Sequence, residues 1–465
     1  MQGPFRNSPG TFGYREKEGN TEIMKKYRNC RTGWATLLGV VCWLTYFSIY
    51  LGRLNFSASM SGMLQTGLWG KGQLGSVAAA FYLAYGIGQF PSGLLGDRLS
   101  PKWMIGAGLF GSALMNALFP MAQTAAVMRG MWFVNGLLQA MIWPPMVRLV
   151  TDLVGTARSV RLILLLSFSS PAGMLCTYLA CGALLRLGSW KWCFLLAGIW
   201  LAGTAVLWIL SISGLEYRIR SVSVEEKWMR PKEQYKKRHK TEEKAVSIGS
   251  TLRMTAASGM LGLTAAAFLH GILKDGLTTW IPTYLTEKFS VSASFSVLLT
   301  TVLPVVSLCG IPLAQTANRL IFRNEAASGA LFYLLSLGSL LCMLGGPGNS
   351  LYGTVLLFAV VSGMMTAVNT LLVSLLPLHF GKEGRVATVS GALNAVTYLG
   401  SAAASALFGY TMEYTGWQGT QMVWCVCGAA GVCSCTAAMG KWKRNRKDIY
   451  GERYGERHEN NTGIL

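Results

Sequence analysis

Between residues 34 and 440 the sequence returns twelve times to an apolar run of about 20 residues, the length an α-helix needs to cross the core of a bilayer. Six runs precede a long polar stretch, 214–255, and six follow it. Barrel strands would be about 10 residues long with strict alternation, whereas these runs are longer, rich in glycine and alanine, and apolar all round. Helices satisfy their backbone groups internally, so this pattern predicts an all-α membrane protein. Only 13% of residues are charged, which excludes a water-soluble enzyme of ordinary composition. The expected organisation is an N-terminal tail 1–33, a six-helix bundle 34–213, a linker 214–255, a second six-helix bundle 256–440 and a C-terminal tail 441–465.

The net charge of +21 raises the question of nucleic acid, which the placement of the basic residues answers. With an even number of spans both termini share one side. On that side fall 34 of the 41 Lys and Arg residues, against five on the other: Lys71, Arg129, Arg186, Lys191 and Lys288. Such asymmetry is the positive-inside pattern and predicts cytoplasmic termini, with no nucleic-acid partner. The first 33 residues lack the apolar core of a secretory signal and are expected to remain in the cytoplasm. Eleven cysteines are scattered, mostly within the spans, and read as small packing residues. Cys425, Cys427, Cys433 and Cys435 project in different directions around a helix, so they cannot meet at one metal ion. The four histidines, His239, His270, His379 and His458, are dispersed.

The two remaining cations, Arg53 and Lys274, lie inside apolar runs. Each costs roughly 2.5–3.5 kcal/mol at the centre of a span unless it faces water or a partner. Of the acids, only Asp275 lies deep in a span, and two cations with one acid leave excess positive charge. Adjacent residues on an α-helix project about 100° apart, so a Lys274–Asp275 pair is expected to be strained. The separation of Arg53 and Lys274 is 274 − 53 = 221. A second pair of landmarks repeats that offset. Gly93-Leu94-Leu95-Gly96-Asp97-Arg98 has a degraded copy ending in Asn318-Arg319, and 318 − 97 = 221. An internal repeat explains both, and if it places the two cations symmetrically, one from each half, they would face one another across a central cavity and suit a doubly charged anion such as phosphate.

The Gly93, Asp97, Arg98 pattern resembles the cytoplasmic loop signature of the major facilitator superfamily. There the glycine allows close helix approach and the carboxylate latches one conformation; the degraded copy, counted with it as gating, has Asn318 in place of the carboxylate, followed by Arg319. Further strings resemble one branch of that superfamily, the organophosphate:phosphate antiporters. Tyr46, Tyr50 and Arg53 in the first run, Tyr85 with Gln89 in the second, Trp143-Pro144-Pro145 in the fourth, Lys274 through Leu285 in the seventh and Tyr398-Leu399-Gly400 in the eleventh carry the likeness. The resemblance implies that Arg53 and Lys274 bind the phosphoryl group and that Tyr46, Tyr50, Tyr85, Gln89, Trp143, Ser169 and Tyr398 line the cavity. Lys274, Gln89 and Ser169 depart from the arginine, lysine and histidine of glycerol phosphate carriers, which leaves the organic portion of the substrate open.

These readings converge on twelve transmembrane helices in two pseudo-symmetric six-helix bundles, a monomeric plasma-membrane carrier that exchanges an organophosphate for inorganic phosphate. Its expected partners are that small anion, inorganic phosphate and membrane lipid, with no cofactor and no metal. Two rivals stand beside it. One is a proton-coupled carrier of organic carboxylates, with Asp275 or His270 as the proton site; the other is a membrane sensor of sugar phosphates. No phosphate-cradling glycine loop, zinc spacing or activated nucleophile marks an enzyme.

Overall fold

A computed structural model describes residues 12–154, 162, 165–166, 168–229, 259–345, 350–380 and 386–459, and among these every regular element is helical. The first half comprises α1 (Phe12–Leu64), α2 (Lys71–Arg98), α3 (Pro101–Leu118), α4 (Ala125–Ala140), α5 (Trp143–Val154), α6 (Ser169–Leu185) and α7 (Lys191–Met229). The second comprises α8 (Met260–Gly271), a π-helical turn (Ile272–Gly276), α9 (Leu277–Phe289), α10 (Ala293–Thr300), α11 (Val302–Ser307), α12 (Gly310–Thr316), α13 (Glu325–Cys342), α14 (Leu351–Asn369) and α15 (Val386–Glu459). Polar residues in extended conformation start several of them. Thr124, Ser292, Asn324 and Ser350 each accept from a backbone amide two or three residues on, satisfying donors the helix leaves open.

Seven of the described helical stretches are long and apolar enough to cross a membrane. The last, Val389–Arg444, reverses its course at Gly416, whose φ of 66° suits glycine, and so carries the eleventh and twelfth predicted runs. The second, fourth, fifth and seventh runs fall outside that count, the fifth being represented by the shorter apolar helix Ser169–Leu185. The second, fourth and seventh hold Tyr82 and Tyr85, Pro144 and Pro145, and Lys274 and Asp275, residues that lower the hydropathy of the helices bearing them.

The helices overrun the predicted bundle edges. α1 begins at Phe12 rather than 34, α7 continues to Met229 through what was expected to be linker, and α15 reaches Glu459. Apolar length measures a membrane span, whereas charged sequence such as Lys, Arg and Glu continues a helix readily outside one. The remainder of the predicted linker, including Lys237 to Lys240, lies outside the described residues.

The two halves meet along α1 with α9, α2 with α15, and α6 with α10. Ser57 Oγ lies 3.1 Å from the carbonyl oxygen of Thr278 and donates at 2.7 Å to that of Thr279. Ser57 and Thr278 are themselves 221 residues apart, so positions equivalent under the repeat touch at the axis that relates the halves. Polar contacts between halves concentrate from there toward the end opposite the start of α1. Ser294 Oγ donates to the Gly182 carbonyl at 2.5 Å, and Lys71 Nζ pairs with Glu287 Oε2 at 2.6 Å. Trp417 Nε1 donates to the same Glu287 oxygen at 2.7 Å, and Lys71 lies 5.5 Å from the centre of the Trp417 ring. This end is closed.

Candidate functional site

Arg53 sits on α1 just inside that closure, with 7% of its surface exposed. Its surroundings follow from helical spacing. Tyr46, Tyr50 and Arg53 fall at i, i+4 and i+7 on one face of α1; Phe81, Tyr82 and Tyr85 share a face of α2; Tyr398 comes from α15. The guanidinium carbon lies 4.7 Å from the ring centre of Tyr85, 5.2 Å from Phe81, 5.3 Å from Tyr398, 5.4 Å from Tyr82 and 5.8 Å from Tyr50. Cation–π contacts are worth about 0.5–2 kcal/mol each, so the cage offsets part of the cost of burying the charge. The rings do not cancel that charge. Among the described residues no carboxylate lies within 4.0 Å of Arg53. Its planar fork of donors therefore remains available for an oxyanion.

Lys274 lies in the π-helical turn, and its side chain keeps 34% of its surface exposed although the residue is mid-helix. Here the sequence expectation needs correction. Lys274 Nζ lies 3.8 Å from Asp275 Oδ1, so the adjacent pair forms. The i→i+5 bonding of a π-turn widens the helix, and successive side chains project closer together than in an α-helix. Asp275 Oδ2 also accepts from Ser401 Oγ at 2.9 Å, tying the turn to α15. Arg53, Lys274 and Asp275 interact electrostatically with one another, and Tyr50 and Tyr398 act on both cations. Among the described residues, Arg53 has no acidic partner within 4.0 Å and Lys274 is partly compensated. His270, one turn before Lys274, is fully buried.

Of the expected lining residues, five come together. The rings of Tyr46 and Trp143 lie 4.5 Å apart, Tyr46 and Tyr50 5.8 Å, and Tyr85 and Tyr398 4.6 Å, forming one aromatic wall with Arg53 at its end. Ser169 is not part of it in this conformation; its hydroxyl donates to the Leu166 carbonyl at 2.5 Å. Gln89 lies one turn beyond Tyr85 on α2, and its buried Nε2 has no hydrogen-bond partner among the described residues. Among the described residues nothing lies within 4 Å of where a Cβ on Gly93 would stand. The side chains of Asp97 and Arg98 lie outside the described residues. Arg319 is exposed, while Asn318 donates to Glu325 Oε1 at 3.0 Å.

Two groups escaped the sequence reading. Phe81, Tyr82 and Thr279 belong to the site: Tyr82 Oη lies 3.4 Å from Thr279 Oγ1 across the two halves. Together with Ser57 they border a cavity of about 10 Å³ on the closed side of Arg53, room for one water. The i−3 and i−4 spacing of Tyr82 and Phe81 from Tyr85 was the available signal. Glu325 is 2% exposed at the start of α13, where it meets Asn318, Trp442 Nε1 at 2.9 Å and His379 Nε2 at 3.0 Å. His379 is thus one member of a buried polar cluster.

Residues 42–405 match the family model described as Major Facilitator Superfamily. The chain belongs to the major facilitator superfamily. Among superfamily members of known fold, it is similar to a bacterial homologue of the human lysosomal transporter Spinster in an inward-facing, unoccupied conformation. The TM-score is 0.67 at 15% identity, covering 90% of this chain and 94% of that one. Among curated superfamily sequences, it is 26% identical over 394 residues to the glycerol-3-phosphate transporter of Bacillus subtilis (strain 168), covering 80% of this chain and 85% of the relative. It is 23% identical over 414 residues to a probable hexose phosphate transport protein of Chlamydia trachomatis, covering 85% and 88%. The resemblance to organophosphate carriers read from Arg53 and its neighbouring tyrosines agrees with these relatives.

Proposed function

We propose that this superfamily member exchanges an organophosphate for inorganic phosphate across the plasma membrane by alternating access, with its termini in the cytoplasm. The observation that carries the reading is Arg53, a buried guanidinium walled by five aromatic rings with no carboxylate within 4.0 Å among the described residues. Such a group favours a guest that brings negative charge and paired oxygens. Lys274 supplies a second, more mobile contact from the opposite half. Tyr46, Tyr50, Trp143, Tyr85 and Tyr398 offer amphipathic ring faces to the organic portion. Asp275 already engages Lys274 and Ser401, which weighs against a role as the free proton site of a carboxylate symporter.

The deciding experiment is counterflow in proteoliposomes loaded with inorganic phosphate. Labelled phosphate should enter only when phosphate is present inside, external sugar phosphates or glycerol phosphate should compete, and a pH gradient should not be required. Uptake of a sugar acid driven by a pH gradient, indifferent to internal phosphate, would show the carboxylate carrier instead. Binding of a sugar phosphate with no turnover would show a sensor.

Alternating access gives the Lys71–Glu287 pair a defined role as a clasp of the closed end. Its side chains are 23% and 33% exposed, so its worth is of order 1 kcal/mol or less. Lys71→Gln should therefore shift the balance toward opening at that end by up to about fivefold. The shift is read as faster reaction of Ser57→Cys with a membrane-impermeant thiol reagent applied from outside. An unchanged rate would remove the clasp from the gating cycle.

A further inference from the structure

The acid beside Lys274 changes what the site admits. Arg53 and Lys274 contribute two positive charges and Asp275 one negative, so the site as a whole carries one net positive charge. Asp275 is also an acceptor in waiting. Its Oδ2 takes the Ser401 hydroxyl at 2.9 Å, and among the described residues its Oδ1 meets only the long 3.8 Å contact to Lys274 Nζ, which leaves lone pairs open toward whatever Lys274 binds. A phosphoryl oxygen held by Lys274 must approach that carboxylate. A bare anionic oxygen is repelled there, whereas a P–OH donates to it and turns the repulsion into a charge-assisted hydrogen bond.

We propose that Asp275 selects the protonation state of the transported phosphoryl group, admitting the monoanion with its P–OH and turning away the fully ionised dianion. The proposal rests on the exchanger reading above and sharpens its substrate class. A monoanion brings the loaded site to neutrality, which removes net charge from the central cavity during reorientation. Ser401 is the positioning residue: with its partner on the far side held, the carboxylate presents Oδ1 to the cavity.

The groups acting on Asp275 are Lys274 and His270 from its own helical run, Arg53 from α1, Tyr82 from α2 and Tyr178 from α6, with Tyr398 beside Lys274. Between about pH 5 and pH 8, His270 is the neighbour whose ordinary range overlaps that of the phosphate ester. Because Asp275 and not His270 meets the phosphoryl proton, His270→Gln should leave the profile below unchanged.

The test uses the purified full chain and measures binding of methyl phosphate, the smallest phosphate monoester, and of sulfate, a dianion without a proton. A phosphate ester loses its second proton near pH 6. The Kd for methyl phosphate should thus rise about a hundredfold from about pH 5 to about pH 8, following the loss of the monoanion. Sulfate should bind at least about tenfold more weakly than methyl phosphate at the acid end. Asp275→Asn should flatten the profile and gain sulfate, and Asp275→Glu should restore the wild-type pattern. Should Asp275→Asn fail to fold, Asp275→Ser supplies the neutral variant, and the wild-type profile alone still decides. A flat wild-type profile, sulfate binding equal to methyl phosphate, or an unchanged profile in the neutral variant would each overturn the proposal. A wild-type chain that binds neither methyl phosphate nor inorganic phosphate would instead overturn the exchanger reading beneath it.

Discussion

Arg53→Ala is expected to abolish exchange of labelled phosphate in phosphate-loaded proteoliposomes. Removing one partner of a buried, hydrogen-bonded charge pair costs about 2–5 kcal/mol, and each 1.4 kcal/mol is about tenfold in affinity, so binding should fall by between about thirty-fold and several thousand-fold. Arg53→Lys separates charge from shape. The ammonium keeps the positive charge but loses the planar fork and much of its contact with the Tyr85 and Tyr398 rings, whose centres lie 4.7 and 5.3 Å away. Exchange by Arg53→Lys should be measurable and well below wild type. If Arg53→Ala exchanged phosphate at a rate within a few-fold of wild type, the cation would be a packing feature of the aromatic wall.

Gly400→Val should be the most damaging substitution outside the cation pair, for a reason of backbone geometry. Where α8 crosses α15, the Phe268 carbonyl oxygen occupies the place a Cβ on Gly400 would need. The Thr397 carbonyl oxygen does the same at Gly271. Reciprocal contacts of this kind let helices in lipid approach backbone to backbone, and both obstacles are main-chain atoms that cannot rotate away. The helices must separate, at a cost of about 3 kcal/mol or more. Separation also pulls Ser401 away from Asp275, since Ser401 follows Gly400 directly and holds that carboxylate at 2.9 Å. Thermal unfolding of the purified protein should show a large drop in Tm. Gly338→Ala on α13 is the matched control, with nothing within 4 Å of the added methyl group, and should be neutral or slightly stabilising. Equal Tm values for the two variants would contradict the close crossing.

Much of this architecture was legible because membrane insertion imposes a strong rule on sequence. A cation in an apolar run needs a reason, which singled out Arg53 and Lys274, and an equal offset between two pairs of landmarks exposed the repeat. The contact of Ser57 with Thr278 bears the same offset into three dimensions. Other features left weaker marks. Tyr82 and Phe81 are apolar-compatible rings, and nothing in a span's composition tells a ring that faces a cavity from one that faces lipid. The π-turn at Ile272–Gly276 shifts the helical phase over only five residues, so a reading at 100° per residue misjudged the Lys274–Asp275 pair. Glu325 lies at a helix start beside apolar sequence, and its partners Asn318, His379 and Trp442 are joined only by the fold.

The central claim is that a phosphoryl group sits between Arg53 and Lys274, and an experimental structure of the full chain with a bound phosphate ester tests it most directly. The account predicts phosphoryl density within about 3 Å of the Arg53 guanidinium, with Lys274 on its other side. A ligand bound elsewhere, or Arg53 bridged to a carboxylate of the protein, would contradict it.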